Sequence, residues 1–143
     1  MSGFDTCAYA VTLHRDQVDK VGRAYTWHLW GVAYAVNCAG GTPTQIQAAW
    51  LHDSIEDTDA TVESLLAAGV TSDVVDLVVV LTHHKGEPYA DYIDRVNACP
   101  DAVMIKLADI NDNLDADRLA KLDDATRDKL VKKYGDAKAR LLR

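Results

Sequence analysis

WLHDSIEDT, residues 50–58, decides how this chain of 143 residues is to be read. A His-Asp pair, His52-Asp53, is followed one helical turn later by an acidic pair, Glu56-Asp57. Residues three and four apart on a helix share a face. His52 therefore sides with Glu56, and Asp53 with both Glu56 and Asp57. His52 and Asp53, splayed by one helical step, can still reach a single ion at the helix edge. Upstream, His28 is the one polar side chain in WHLWGVAYAV before Asn37, and a buried imidazole needs a partner. Downstream, Asp109 sits among Ile105, Leu107, Ala108 and Ile110, where a carboxylate asks for a cation. Two His and two Asp make an N/O donor set suited to Mn²⁺, Fe²⁺, Co²⁺ or Zn²⁺. The alternative for residues 52–57 is a solvated acidic helix end, but acids at a helix C-terminus oppose its dipole.

Around this stretch the pattern is helical almost throughout. Residues 4–18 alternate at helical spacing, and Gly22 marks a loop or break in residues 19–26. Residues 27–39 form an apolar helix ended by Gly40-Gly41. Thr42-Pro43-Thr44-Gln45 is a capping-box start with Pro43 at the first helical position, opening a helix over 43–56. Residues 61–70 read as a short helix closed by Gly69. The β-branched run 72–81 suits a strand by propensity, and Ser72 as N-cap in helical surroundings favours a helix. HHKGEP (83–88) is a loop. Pro88 opens a helix to residue 98, Pro100 another to about 115, and residues 123–143 form a basic helix containing Gly135. The sum is an all-α bundle of seven or eight helices in one domain, 1–143.

Composition narrows the function. Nearly half the residues are apolar, enough for one core. No run is long and apolar enough to span a membrane, and the N-terminus lacks a signal-peptide pattern. Cys7, Cys38 and Cys99 are odd in number with no CxxC spacing, which fits buried thiols in a reducing cytoplasm. A net charge of −7 argues against nucleic-acid binding. A phosphate ligand needs a local answer to that charge, from a metal and a few placed cations. Lys106, Asp109 and Asn113 fall at i, i+3, i+7 on one stripe. There Asp109 can ligate, Lys106 can meet a phosphate oxygen or pair with Asp109, and Asn113 can read a sugar or base. Asp112 could orient Lys106 or a water. Lys85, in the loop, is a further phosphate candidate. Trp27, Trp30 and Trp50 are expected in the core and the basic C-terminal helix on a solvated face.

These residues resemble the HD-domain metal-dependent phosphohydrolases, and within them the RelA/SpoT-type alarmone hydrolases, including the small stand-alone ones. Gly22, Tyr25 and His28 match the loop, Tyr and first His of that family. Residues 50–58 match its LLHDxxEDT, and Lys106-Leu107-Ala108-Asp109 with Asn113 matches KLADRxxN. The resemblance implies an all-α HD fold and Mn²⁺ held by His28, His52, Asp53 and Asp109. It implies hydrolysis of the 3′-pyrophosphate of guanosine tetra- or pentaphosphate, with Glu56 and Asp57 activating and positioning water. Lys20 falls on a substrate-contacting Lys of the family. Three features depart from the pattern. Asp19 stands where the family has a base-stacking Arg, a place Arg23 could take. Leu29 replaces the Pro after the first His, and the acidic NLDAD replaces an Arg-bearing segment. The departures touch the nucleotide end and keep two alternatives open: hydrolysis of another nucleotide, or a non-catalytic nucleotide-binding module.

Overall fold

The computed structural model describes the backbone of residues 1–143 and every side chain except that of Phe4. Its described residues form ten helices: α1 (Gly3–Leu13), α2 (Thr26–Cys38), α3 (Pro43–Leu51), α4 (Ser54–Asp57), α5 (Val62–Ala67), α6 (Ser72–Leu81), α7 (Tyr89–Asn97), α8 (Pro100–Asn113), α9 (Ala116–Leu119) and α10 (Asp124–Leu141). The all-α architecture is as expected. Eight helices are long enough to leave a sequence signal, and the four-residue α4 and α9 are single turns.

The order of events along the chain follows local chemistry. Thr42 caps α3 as anticipated: its hydroxyl accepts the Gln45 N–H while Gln45 Oε1 accepts the Thr42 N–H. The helix expected over 43–56 instead breaks at His52-Asp53. His52 Nδ1–H takes the Ala49 carbonyl at 2.6 Å and the Ser54 hydroxyl takes that of Leu51 at 2.7 Å. Side chains thus capture acceptors that a continuing helix would use. α1 ends at Leu13, short of the expected residue 18. His14 turns inward there, stacks on Tyr25 and bonds Gln17 Oε1 at 2.7 Å. The chain then makes a Val18–Ala24 bridge around Gly22, whose φ of +82° needs a glycine. Residues 72–81 are helical, with Thr71 rather than Ser72 at the cap position.

The core is built from α2, α3, α6, α7 and α8, through Leu29, Val32, Leu51, Val78, Ile93 and Ile105, all fully buried. α2 buries His28, Leu29, Val32, Ala33 and Val36. Trp27, Trp30 and Tyr34 lie on its other face, about half exposed, and Trp50 is half-buried. Two of the three tryptophans are therefore surface residues: once His28 and Leu29 face inward, helical spacing turns Trp27 and Trp30 outward. Cys38 is exposed, and Cys7 and Cys99 are half-buried free thiols. Among the described residues no helix is long and apolar enough to cross a membrane.

Candidate metal centre and its cavity

Three elements converge on one point. α2 brings His28, the α3–α4 break brings His52 and Asp53, and α8 brings Asp109. One donor atom from each of these four residues lies within 4.8 Å of every other. His28 Nε2 is 3.0 Å from Asp109 Oδ1 and 3.5 Å from Asp53 Oδ2. His52 Nε2 is 3.0 Å from Asp53 Oδ2 and 3.4 Å from Asp109 Oδ1. The break in the helix thus serves the site: it lets His52 and Asp53, adjacent in sequence, aim at one centre.

Each imidazole is held from behind. His52 Nδ1–H donates to the Ala49 carbonyl and His28 Nδ1–H to Asp112 Oδ2, both at 2.6 Å. The Nε2 lone pairs are left for the centre, which is how metal-binding histidines are oriented. Asp109 is held too. Lys106 Nζ donates to its Oδ2 at 2.7 Å, and Asn113 Nδ2 to its Oδ1 and backbone carbonyl at 3.0 Å. Burial opposes charge on Asp109, yet Lys106 and His52 outweigh it and hold the carboxyl well below its usual range. Burial likewise opposes an imidazolium at His52, and the Asp53 and Asp109 carboxylates outweigh it, pushing the pKa up to about 10. The centre is therefore a place that attracts positive charge. Two imidazole nitrogens and two carboxylate oxygens fit a hard-to-borderline divalent cation.

A cavity of about 360 Å³ opens over this centre. Asp53 and Asp109 lie in its floor, and Lys20, Tyr25, Glu56, Asp57, Lys106 and Asn113 in its walls, as the sequence suggests. Tyr25 donates to Asp53 Oδ2 at 2.6 Å, with its hydroxyl 3.5 Å from Asp57 Oδ2. Glu56 Oε1 accepts the His83 N–H at 2.7 Å. Burial raises the pKa of both Glu56 and Asp57. The His83 N–H works against it at Glu56, and the charge of Asp53 adds to it at both. Arg23 and Lys85 are not among the lining residues. Arg23 lies over the Trp27 ring on a neighbouring groove, and Lys85 is exposed in its loop. Asp112 binds His28 rather than Lys106.

The walls also contain His83, a neighbour of the Lys85 phosphate candidate, and three residues that the sequence reading does not single out. His83 and Tyr89 enter from the 82–89 segment, and Lys133 and Tyr134 from the supposedly solvated α10. The Lys133 ammonium lies 4.6 Å over the Tyr89 ring and 5.2 Å over that of Tyr134. The Tyr89 hydroxyl is buried, with no hydrogen-bond partner among the described residues. One signal was present: paired Lys and Tyr in a helix with few apolar residues. Asp19, buried, and Arg118 complete the far wall.

No protein-family model matches the chain. It is 37% identical over 115 residues to a guanosine-3′,5′-bis(diphosphate) 3′-pyrophosphohydrolase of Danio rerio, which covers 73% of the chain and 63% of that protein. It is 31% identical over 111 residues to a probable enzyme of the same name from Synechocystis sp., covering 71% of the chain and 15% of the relative. The chain thus spans less than two thirds of the length of either. A solved structure, described as a metazoan ortholog of SpoT that hydrolyses ppGpp, superposes with a TM-score of 0.83 at 26% identity, over 99% of this chain and 85% of that one.

Proposed function

The chain is a relative of the HD-type guanosine-3′,5′-bis(diphosphate) 3′-pyrophosphohydrolases, and from that premise we propose that it is a metal-dependent phosphohydrolase that releases pyrophosphate from the 3′ position of guanosine tetra- or pentaphosphate. The observation that carries the reading is the convergence of His28, His52, Asp53 and Asp109, of which Asp53 and Asp109 reach the floor of a cavity walled by Glu56 and Asp57. Those four residues would hold the cation, Mn²⁺ by resemblance. When bound, such a cation lowers the pKa of water and polarises a phosphoryl oxygen.

The chain's own residues supply the rest. Glu56 and Asp57, with pKa values raised toward neutrality, suit proton transfer. One accepts the proton of the attacking water as the bond to phosphorus forms. The other returns a proton to the departing 3′-oxygen of the ribose. Tyr25, kept neutral by burial and by Asp53, fixes the Asp53 carboxylate. Lys20, Lys106 and Lys133 all face the cavity and offset its carboxylates for a polyanionic substrate. The Tyr89 hydroxyl, without a partner among the described residues, would bond a sugar or phosphate oxygen, and Asn113, whose amide N–H groups hold Asp109, would offer its Oδ1 to a sugar hydroxyl.

Guanosine tetraphosphate with Mn²⁺ is the direct test, with products weighed by mass spectrometry. Pyrophosphate and GDP are expected, and their absence at every metal tried would overturn the reading. A second reading rests on Asp19. Its side chain is buried and faces Arg118, so it does not offer a base the stacking surface of an arginine. Turnover of another phosphorylated nucleotide in place of the guanosine tetraphosphate would favour this second reading.

A further inference from the structure

We propose that Arg118 is a positioning residue for the metal centre, acting through Asp112 on His28. The inference rests on the metal-site reading above. It starts from the departures at residue 19 and at 113–117, both of which act on Arg118. Asp115 caps α9 by accepting the Arg118 N–H at 3.1 Å. This turn aims the Arg118 guanidinium inward, where only 13% of the side chain is exposed. There its Nη1 donates to Asp112 Oδ2 and to the Asp112 carbonyl, each at 3.1 Å. Its Nε lies 3.6 Å from Asp19 Oδ2. Asp19 is fixed in turn, since its Oδ1 accepts the N–H groups of Val21 and Arg23.

Asp112 Oδ2 is shared between Arg118 and His28 Nδ1. The carboxylate has room because Gly31 faces it: a Cβ at Gly31 would stand 2.5 Å from Asp112 Oδ1. A carboxylate behind a ligand imidazole fixes the ring's tautomer and angle, and loss of such a partner costs about 10–100-fold in metal affinity. Asp112 alone is partly exposed and could swing. Arg118 grips both its carboxylate and its backbone, and Asp19 anchors Arg118 to the loop before α2. Asp19 and the acidic 113–117 segment are therefore one coupled device, in which Asp19 holds a clamp on His28 instead of contacting substrate.

The test uses the full chain, with Mn²⁺ as the titrant in calorimetry and imidazole ¹⁵N spectra of the metal-free protein. The wild type should show the His28 Nδ1–H as a downfield proton hydrogen-bonded to Asp112. Asp112→Ala should lose that signature and bind Mn²⁺ about 10–100-fold more weakly. Arg118→Met should weaken Mn²⁺ binding in the same direction and broaden or shift the His28 signals. Arg118→Lys should recover part of the loss, which removal of a merely stabilising contact would not predict. Should Arg118→Met fail to fold, Gly31→Ala presses on the same carboxylate without removing a charge and should also weaken Mn²⁺ binding. Unchanged Mn²⁺ affinity and an unchanged His28 Nδ1–H resonance in these variants overturn the proposal. A wild type that binds no divalent cation overturns the parent reading instead, and the His28 Nδ1–H spectra then show whether Arg118 orients the ring through Asp112.

Discussion

The floor and the walls of the cavity are built differently. Asp53 and Asp109 form the floor, with His28 and His52 directly beneath it; His28, His52 and Asp109 are all buried and each is held by a hydrogen bond from outside the centre. The walls come from the loop before α2, α4, the 82–89 segment, the Lys106–Asn113 stripe of α8, α9 and α10, and include exposed residues such as Lys20, Glu56 and Lys133. Floor residues are fixed by packing, so changing one disturbs the core as well as the chemistry. The exposed wall residues hang over a cleft, while Lys106, Asp19 and Arg118 reach it with side chains that are themselves mostly buried. Asp19, one of the departures from the resembled pattern, lies on the wall side of this division.

The largest expected effect comes from breaking the floor. His52→Ala and Asp109→Ala should each abolish Mn²⁺ binding in calorimetry and turnover with it. Asp109→Ala should also destabilise the fold, because Lys106 would be left buried without its 2.7 Å partner, a change that typically costs about 3–5 kcal/mol. If Asp109→Ala kept full metal affinity, floor and wall would not be distinct. Next come the two acids at the junction. Glu56→Gln and Asp57→Asn should lower kcat by roughly 10²–10⁴-fold with Mn²⁺ affinity nearly kept. A loss of metal affinity equal to that of His52→Ala would move them from the wall to the floor.

A third prediction concerns the wall alone. Lys133 has no ion-pair partner among the described residues, and burial with the nearby charges of Lys106 and Lys20 lowers its pKa. An anion in the cavity relieves that repulsion. Lys133→Met should raise KM for guanosine tetraphosphate about tenfold or more, the scale of one charge-assisted hydrogen bond, with a smaller change in kcat and none in Mn²⁺ affinity. Steady-state kinetics at fixed Mn²⁺ separate the two parameters. An unchanged KM would leave Lys133 as a surface lysine stacked on Tyr89.

Legibility in the sequence follows the same division. The convergence of the four could be anticipated because each stands in a short helical context: an imidazole in an apolar helix, a carboxylate beside Ile105 and Ile110, a His-Asp pair before two acids. The capping box at Thr42 and the start of α8 at Pro100 were equally local. The break at His52 was not, since it depends on side chains taking the Ala49 and Leu51 carbonyls. Nor was the outward turn of Trp27 and Trp30, which is settled by the inward turn of His28. Lys133, Tyr89 and Arg118 are far apart in the chain and share no period. Only packing of α10 and α9 against the bundle brings them to one cleft, so residue type alone placed α10 on a solvated face.

The smallest effect tests how the wall is held in place. Glu87 closes the 82–88 loop: it accepts from Arg95 Nη2 at 3.0 Å and from the His84 N–H at 3.2 Å. Arg95 also donates to the Val80 and Thr82 carbonyls. His83, between them, donates its N–H to Glu56. The Arg95 hydrogen bonds draw the Glu87 pKa down from 4.5 to about 2. A carboxylate with a lowered folded pKa contributes stability that is fully present above its unfolded pKa and lost as pH falls through the folded one. The gap in Tm between wild type and Glu87→Gln should therefore be constant above about pH 5 and close as pH falls from 4.5 toward 2. Thermal melts across that range measure it. The variant should leave Mn²⁺ affinity alone, since the loop touches Glu56 and none of the four ligands. A gap independent of pH would mean that the loop is held by the Arg95–carbonyl bonds without help from the Glu87 charge, and that the wall around Glu56 is stiffer than its exposure implies.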